Sequence, residues 1–301
     1  MDHTHGIKNK TLPVLWGAVL LFFVLLLVMR TEISRAAYDA LVFSAKKLIP
    51  ALFPFALLAK LTAALPYPQK VRHLPMGLSL SALPACLLGL LAGYPMGALA
   101  AKGLYDSGTV GKKEALRLTA CTNNASLAFL LMTVAPLFGG QSIGWVLFFS
   151  ASSASLIALV LTNDRSPKSV SLPLPRTQEP FVSLLTRAIA EAAEAMLTLT
   201  AFVTFFAIVS RLCFLIPPLV GLSPYLMLFL EPTAAVRTLA VSSLSGKLPL
   251  AAFALGFSGL SVLMQDHAIW EGKLPLTKIA ACRLLIGILS AIFSLFFQKI
   301  L

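Results

Sequence analysis

The sequence predicts an all-α, polytopic membrane protein with about seven transmembrane helices and two re-entrant helical hairpins, arranged in two related halves. The 301 residues are 58% hydrophobic and only 12% charged, whereas a soluble domain carries about 25% charged residues. So few polar side chains cannot cover a water-facing surface, which excludes a soluble enzyme. Charge-free stretches reach the roughly 20 residues that a membrane-crossing helix needs, and breaks containing Gly or Pro divide several of them.

The chain begins with a predicted membrane anchor, residues 1–30. Its apolar run, 11–29, is longer than the roughly 7 to 15 residues of a signal-peptide core, and no small-residue cleavage site follows it. A second span is predicted over 48–65. Pro50 and Pro54 lie in its first turns, where a missing N–H is best tolerated.

Residues 31–162 form a predicted first half with one hairpin and two further spans. The charge-free run 74–101 is too long for one crossing and too short for two with a turn. Gly93-Tyr94-Pro95 interrupts it near the middle, which favours a re-entrant hairpin. The following run, 118–163, divides near Gly139 into two spans.

A hydrophilic linker, residues 163–180, precedes a predicted second half, residues 181–301. This half is expected to contain spans over 186–216, 219–243 and 283–297, and a hairpin within 248–265 that turns near Gly256 and Gly259. Gly93 and Gly259 are 166 residues apart, as are Lys112 and Lys278. This spacing indicates that hairpin, basic loop and following span recur in the same order, a duplication that is common in transporters.

The basic residues predict the orientation of the chain. There are 24 Lys and Arg against 12 Asp and Glu, a net charge of +12, and Lys and Arg are enriched in cytoplasmic loops. With both hairpins re-entrant, most of the basic residues, Arg283 among them, fall on the same face as the N-terminus. We therefore predict a multi-pass cell-membrane protein with a cytoplasmic N-terminus and no nucleic-acid partner.

Breaks in the predicted helices are candidate parts of a binding site at the membrane midplane. Unpaired backbone groups are costly in hydrocarbon, so breaks persist where protein or a water-filled cavity satisfies them. Free N–H groups at half-helix N-termini suit anions, and unwound carbonyls suit cations. The candidate residues at these breaks are Gly93, Tyr94, Pro95, Asn123, Asn124, Glu231, Thr233, Gly256 and Gly259.

A purely structural role competes with function at each of these positions. Gly and Pro are ordinary kink residues in membrane helices, and Asn123 and Asn124 can join helices by hydrogen bonds. Glu231 is the sharpest single candidate, because a carboxylate within the membrane marks a functional site by default. Its structural alternative is an ion pair with Arg237 or Lys60.

The sequence predicts no metal, cofactor or catalytic site. His3 and His5 form a lone His-x-His without further ligands nearby, and the four cysteines lie in apolar segments without C-x-x-C spacing. Glu191 is expected to pair with Arg187, four residues earlier. His267, beside Asp266, is expected to be solvated at the edge of the second hairpin.

Five motifs in order carry a resemblance to a known family. They are Leu48-Ile-Pro-Ala-Leu-Phe-Pro-Phe55, Gly93-Tyr-Pro-Met-Gly-Ala98, Asn123-Asn124, Leu230-Glu-Pro-Thr233 and Gly256-Phe-Ser-Gly-Leu-Ser-Val262 with Gln265. Their order and spacing resemble those of the YlbJ-type sporulation integral membrane proteins. Such proteins carry the nucleoside recognition, or Gate, domain, which also occurs in spore maturation proteins and is related to concentrative nucleoside transporters.

The resemblance implies a membrane protein of endospore-forming bacteria that is required for spore cortex formation and has two Gate repeats. By motif, it adds Gln265 to the candidate site residues named above. The sequence departs from the family pattern after Asn124, where Ala-Ser-Leu-Ala replaces a Ser-Gly-Pro stretch, and at Ser258, which interrupts a run of glycines.

Together these observations predict a transporter-like, non-enzymatic protein whose partners are the lipid bilayer and a small solute, with or without a coupling cation. The alternative is a scaffold or assembly factor of the spore envelope that docks partner proteins or a second copy. An enzyme acting on lipid-linked precursors is disfavoured, because no paired acidic or His motif lies at an interface. A transporter requires Glu231, Asn123, Gly93 and Gly259 to converge around a hydrated pocket.

Overall fold

The computed structural model describes residues 12–64, 76–163 and 180–301, and all the helices and turns considered below lie in these ranges. The regular elements within them are helices. Predictions that concern residues 1–11, 65–75 and 164–179, including His3, His5 and most of the hydrophilic linker, lie outside the described residues.

The first part of the chain consists of α-helices, and two π-helical turns connect neighbouring helices. The α-helices are α1 (Leu12–Val28), α2 (Arg30–Phe43), α3 (Ile49–Ala64), α4 (Leu83–Leu91), α5 (Met96–Asp106), α6 (Lys112–Thr122), α7 (Leu127–Phe129), α8 (Ala135–Phe138) and α9 (Gln141–Leu161). The π-helical turns Ser44–Leu48 and Leu130–Val134 join α2 to α3 and α7 to α8.

The second part of the chain begins with the longest helix. Its elements are α10 (Phe181–Leu215), α11 (Pro217–Val220), α12 (Ser223–Leu230), α13 (Pro232–Val241), α14 (Lys247–Phe257), α15 (Gly259–Ile269) and α16 (Leu276–Phe297).

Five helical stretches in the described ranges are long and apolar enough to cross a membrane, and there are up to six if α1 and the helix after it, which meet at 92°, count as one. The five are Lys112–Phe138, Gln141–Leu161, Phe181–Leu215, Lys247–Ile269 and Leu276–Phe297. This all-helical architecture fits a polytopic membrane protein. The stretch Lys247–Ile269 is 67% buried in its apolar window and Phe181–Leu215 only 22%, so α14 and α15 lie in the core while α10 is peripheral.

The helices α4 and α5 fold back on each other across Gly93-Tyr94-Pro95. A methyl group added to Gly97 would lie 2.7 Å from the Cα of Gly89, although eight residues of straight helix would separate the two by about 12 Å. The chain therefore reverses in a tight helical hairpin at the predicted position.

The second hairpin was predicted in the wrong element. Instead of turning near Gly256 and Gly259, α14 and α15 continue as one interrupted stretch of 23 residues. The predicted span 219–243 consists instead of three short helices, of which α12 and α13 pack against each other across Glu231. Pro232 has no N–H to continue α12, so a new helix begins there, and Gly259 serves a close contact rather than a turn.

The element order of the two halves repeats with a spacing of 135 residues. Lys112 and Lys247 each follow a glycine and begin helices of 11 residues, α6 and α14. Gln141 and Leu276 begin the final spans α9 and α16. The predicted spacing of 166 residues was wrong, because it matched the first hairpin to the second interrupted span.

The two halves run through the molecule in opposite directions. One side, here called the linker face, is where α5, α9 and α15 end and α6, α10 and α16 begin. Lys102 near the end of α5 pairs with Glu271 after α15 at 3.3 Å, while on the opposite side the Lys247 ammonium lies 6.0 Å from the Phe138 ring. The stretch α6–α8 therefore leaves the linker face and α14–α15 returns to it, which makes the repeat inverted.

Candidate functional site

The tip of the first hairpin docks on a break in the following span. Residues 123–126 are not helical and separate α6 from α7. The backbone N–H of Tyr94 donates to the Asn124 carbonyl at 2.6 Å. A methyl group added to Gly93, whose φ is +80°, would lie 2.4 Å from the Ser126 nitrogen. Only glycine combines this φ with so close an approach.

The second half repeats this contact. Ser258 and Gly259 both have φ of +70° where α14 meets α15. A methyl group on Gly259 would lie 2.9 Å from the Leu230 carbonyl oxygen, next to the break at Glu231. In both halves, therefore, a pair of short helices places its tip against the interruption of the span that follows.

Asn123 and Asn124 bring together an acid and a base from the other half. The Asn123 amide donates to Asp266 Oδ1 at 2.8 Å. The Arg283 guanidinium donates to Asn124 Oδ1 at 3.2 Å and to the Asn123 carbonyl. Asn124 also exchanges hydrogen bonds of 2.9 and 3.0 Å with Ser155. These five residues are called the polar network below.

Asp266 and Arg283 are both 0% exposed, and neither was predicted as a site residue. Arg283 was expected at the cytoplasmic start of the last span, but α16 begins seven residues before it, about 10 Å along the helix, so the residue lies inside the helix. His267 was expected to be solvated, yet its Nδ1 is buried. The missed signal was that each charge lies within an apolar stretch rather than at its end.

Four buried polar atoms around the polar network have no hydrogen-bond partner among the described residues. They are Asp266 Oδ2, Arg283 Nε, Gln265 Oε1 and the Tyr94 hydroxyl. Buried polar groups are nearly always paired. Asp266 and Arg283 of the polar network, and Gln265 and Tyr94 beside it, therefore have unused hydrogen-bonding capacity.

Glu231 lies at the break between α12 and α13, and its carboxylate caps α13. It accepts the N–H groups of Thr233 at 3.0 Å and Ala234 at 2.5 Å, which satisfies the free N-terminus of the helix. Of its predicted structural partners, Arg237 lies within electrostatic range, whereas Lys60 pairs with Glu191 at 2.9 Å.

Tyr94 links the two halves of the candidate site. It lies within electrostatic range of both Glu231 and Arg283, so the tip of the first hairpin lies near both the break at Glu231 and the polar network. Gly256 is farther along α14 and has a packing role, since a methyl group there would lie 2.6 Å from Ser290 Oγ on α16.

A cavity of about 610 Å³ opens beside these elements and is lined mainly by α5, α10 and α15. Among the predicted site residues it is lined by Pro95 and Gln265. Gln265 is 5% exposed, and it directly precedes Asp266 in the chain. Asn123, Gly93, Glu231 and Gly259 do not line this cavity. The expected convergence of these four residues around a hydrated pocket is therefore not found here, and a solute site in this cavity depends on Gln265 and Pro95 instead.

The mouth of the cavity carries charges of both signs. Lys102 pairs with Asp106 at 2.6 Å and with Glu271 at 3.3 Å. The expected pair of Arg187 and Glu191 is confirmed at 3.9 Å. Lys273 and Lys102 hold the pKa of the Glu271 carboxyl below its ordinary value, so this exposed group stays ionised at neutral pH.

Comparison of the chain with protein families, with curated proteins and with solved structures gives no match in any of the three. In the described ranges, no three His, Cys, Asp or Glu side chains cluster as metal ligands would. The functional argument therefore depends on the cavity and the polar network.

Proposed function

We propose that this protein is a membrane transporter that binds a small polar solute at the inner end of the cavity. One observation carries the proposal: Gln265 lines the cavity, and its side-chain oxygen, which is buried beneath the cavity surface, has no hydrogen-bond partner in the described structure. Ligand sites are typically cavities of about 300–1,000 Å³ with a few oriented polar groups. Gln265 offers such a group to a hydroxyl or amine of the solute.

The inverted repeat supports transport over a static role. In many transporters two inverted halves place interrupted helices around a central site, and movement of one half against the other opens the site to alternate sides. Here α6–α8 and α14–α15 are both interrupted, and Asn123 contacts Asp266 across the two halves. Polar groups inside a membrane protein mark solute or ion paths.

The short helix pairs α4–α5 and α12–α13 fit re-entrant hairpins that enter from opposite faces. Neither α4 with nine residues nor α12 with eight can cross a bilayer. In this arrangement their tips meet the interrupted spans near the middle of the membrane. Placement in the cell membrane with a cytoplasmic N-terminus stays a prediction from the Lys and Arg distribution.

The motif resemblance to the YlbJ-type proteins supports a role in spore cortex formation. A scaffold of the spore envelope is the alternative function, and it requires no solute. The two proposals differ in whether Gln265 faces a ligand, which can be measured directly.

The experiment is a thermal-shift screen of the purified full chain against nucleosides, amino acids and soluble cell-wall precursors. A probe that binds the folded state raises its unfolding temperature by mass action. Gln265→Leu should abolish the shift caused by the best probe, because it removes the free amide. Gln298→Leu, at the exposed end of α16, is the matched control and should keep it. A shift that Gln265→Leu leaves unchanged would place the solute elsewhere.

A further inference from the structure

Asp266 is fully buried, and one of its two carboxylate oxygens accepts a hydrogen bond. Its Oδ1 accepts the Asn123 amide at 2.8 Å, and its Oδ2 has no partner among the described residues. An ionised carboxylate has about four acceptor positions, whereas a protonated one holds its own proton on one oxygen. The unused Oδ2 is therefore the place in the polar network where a proton can be held.

Arg283 supplies the compensating charge without binding Asp266 directly. The guanidinium interacts with the carboxylate electrostatically, but its hydrogen bonds go to the Asn123 carbonyl and to Asn124 Oδ1. Asn123 thus lies between the two charges and contacts both. A buried acid and base held apart by an amide can respond to one added proton, because the pull of the acid on the base depends on the charge of the acid.

We propose that Asp266 is the proton-binding group of the transport cycle, with Arg283 as its counter-charge and Asn123-Asn124 as the element that responds. This proposal rests on the transport function proposed above. Oδ2 takes a proton from a hydronium ion, which leaves as water, and later returns the proton to water on the other side. In the protonated state Arg283 stays on the Asn123-Asn124 break. In the ionised state Asp266 draws Arg283 away from it.

The break is the part of the fold that can transmit this change. Arg283 holds the carbonyl of Asn123 and the side chain of Asn124, and the Asn124 carbonyl holds the tip of the first hairpin through the Tyr94 N–H. Movement of Arg283 therefore loosens the docking of that tip. The tip reaches the cavity through Pro95, so protonation and access to the solute site are connected by direct contacts.

The other ionisable groups around Asp266 lie on neighbouring elements and on the walls of the cavity. Arg283 on α16 is in electrostatic contact with Tyr94 at the hairpin tip and with Cys121 and Cys282 on α6 and α16. His267 is the next residue on α15. Towards the cavity, α5 contributes Lys102 and Asp106 and α10 contributes Arg187, Glu191 and Glu194, while α12 has no charged side chain.

The test is infrared difference spectroscopy of the purified full chain in detergent, titrated from acidic to alkaline pH. Besides the bands of the exposed acids, the wild type should show a separate C=O stretching band of a buried protonated carboxyl that disappears on titration. Asp266→Asn should lose this band, and Asp266→Glu should shift it. Asp39→Asn is the matched control, since Asp39 is exposed on α2, and it should leave the band unchanged.

A second measurement guards against misfolding of the variants. Trp270 is buried one turn after Asp266, and its indole N–H donates to Thr119 at 3.1 Å. In a background with Trp16→Phe and Trp145→Phe, its fluorescence should follow the same titration and should lose that response in Asp266→Asn. Native fluorescence at fixed pH shows that the variant is folded.

The outcomes separate this proposal from the transport function itself. A buried-carboxyl band that survives in folded Asp266→Asn overturns the proton site, whatever the solute screen gives. A buried-carboxyl band that depends on Asp266, combined with no thermal shift from any probe, supports the proton site and counts against solute transport. A solute shift without any buried-carboxyl band overturns proton coupling and leaves transport standing.

Discussion

Arg283 joins the two halves through buried hydrogen bonds. It is buried, it holds the backbone of Asn123 and the side chain of Asn124, and it balances the charge of Asp266. Removing one member of a buried charge pair leaves the other uncompensated, which is more damaging than removing both. Comparing the single and double variants of Arg283 and Asp266 can therefore separate the contribution of their charges to stability from that of packing.

Arg283→Met is expected to destabilise the protein by about 3–5 kcal/mol, the usual effect of exposing one charge of a buried pair to an apolar environment. Adding Asp266→Asn should recover part of this loss, because the remaining acid is then neutral. Urea or thermal unfolding in detergent gives the double-mutant cycle. Arg35→Met, at an exposed position on α2, should stay close to the wild type; an equal loss there would contradict the assignment.

At the residue scale the sequence predicts the neutral part of the polar network better than the charged part. Two adjacent amides in an apolar run stand out, and the structure buries both Asn123 and Asn124. Asp266 and Arg283 are missed because a charge at the edge of a hydropathy window is read as a loop residue. Only the packing of α6, α15 and α16 shows that these side chains point inward.

At the scale of elements, the decisive features are the tips of the short helix pairs and the breaks on which they dock. The first tip is correctly predicted at Gly93-Tyr94-Pro95, where Gly and Pro coincide in an apolar run. The second is misplaced, because Gly256 and Gly259 resemble a turn, whereas the actual break has an acid and a proline at Glu231-Pro232. A glycine needed for close packing and one needed for reversal look alike in sequence.

Gly93→Ala should destabilise the protein more than Gly139→Ala. Both glycines have positive φ, at +80° and +108°, but a methyl group meets the Ser126 backbone at the first site and open space at the second. The backbone strain alone costs about 1–2 kcal/mol, and the steric clash adds to it only at Gly93. Thermal unfolding of the two variants compares them, and equal losses would show that the tip is not tightly docked.

Mild oxidation should join α6 to α16 through Cys121 and Cys282. Their sulfurs lie 3.5 Å apart, and a disulfide needs about 2.05 Å, so a small approach is sufficient. Treatment with diamide followed by peptide mass spectrometry should detect this linkage, and Cys282→Ser should abolish it. Free thiols at both positions after treatment of folded protein would contradict the packing of α6 on α16.

At the scale of the whole molecule, the inverted repeat determines which loops share a side of the membrane. Composition is enough to predict an all-helical membrane protein, because too few charges exist for any other surface. Composition is not enough to predict the direction in which each span crosses the membrane, because the number of crossings changes when one span is replaced by a pair of short helices. The prediction took α12–α13 as one span and α14–α15 as a hairpin, and it therefore placed Lys247 on the same face as Lys102 and Lys112. In the structure Lys247 lies on the side opposite the linker face.

Cysteines introduced at Lys112 and Lys247 should react from opposite sides of the membrane. These lysines begin equivalent helices in the two halves, and the repeat is inverted. Labelling with a membrane-impermeant maleimide in intact cells and in inverted vesicles measures the side, in a background without reactive native cysteines. Reaction of both from the same side would exclude the inverted arrangement in the membrane.

Both charged residues of the polar network come from the second half, although the two halves share the same order of helices. Arg283 is seven residues into α16, and the corresponding position in α9 is Phe148. If the halves were identical, the conformations open to either side of the membrane would have equal energy. Charged groups at a single junction remove this equality. For the proposed transporter, an asymmetric interior in a symmetric scaffold would therefore set which side of the membrane the empty protein faces.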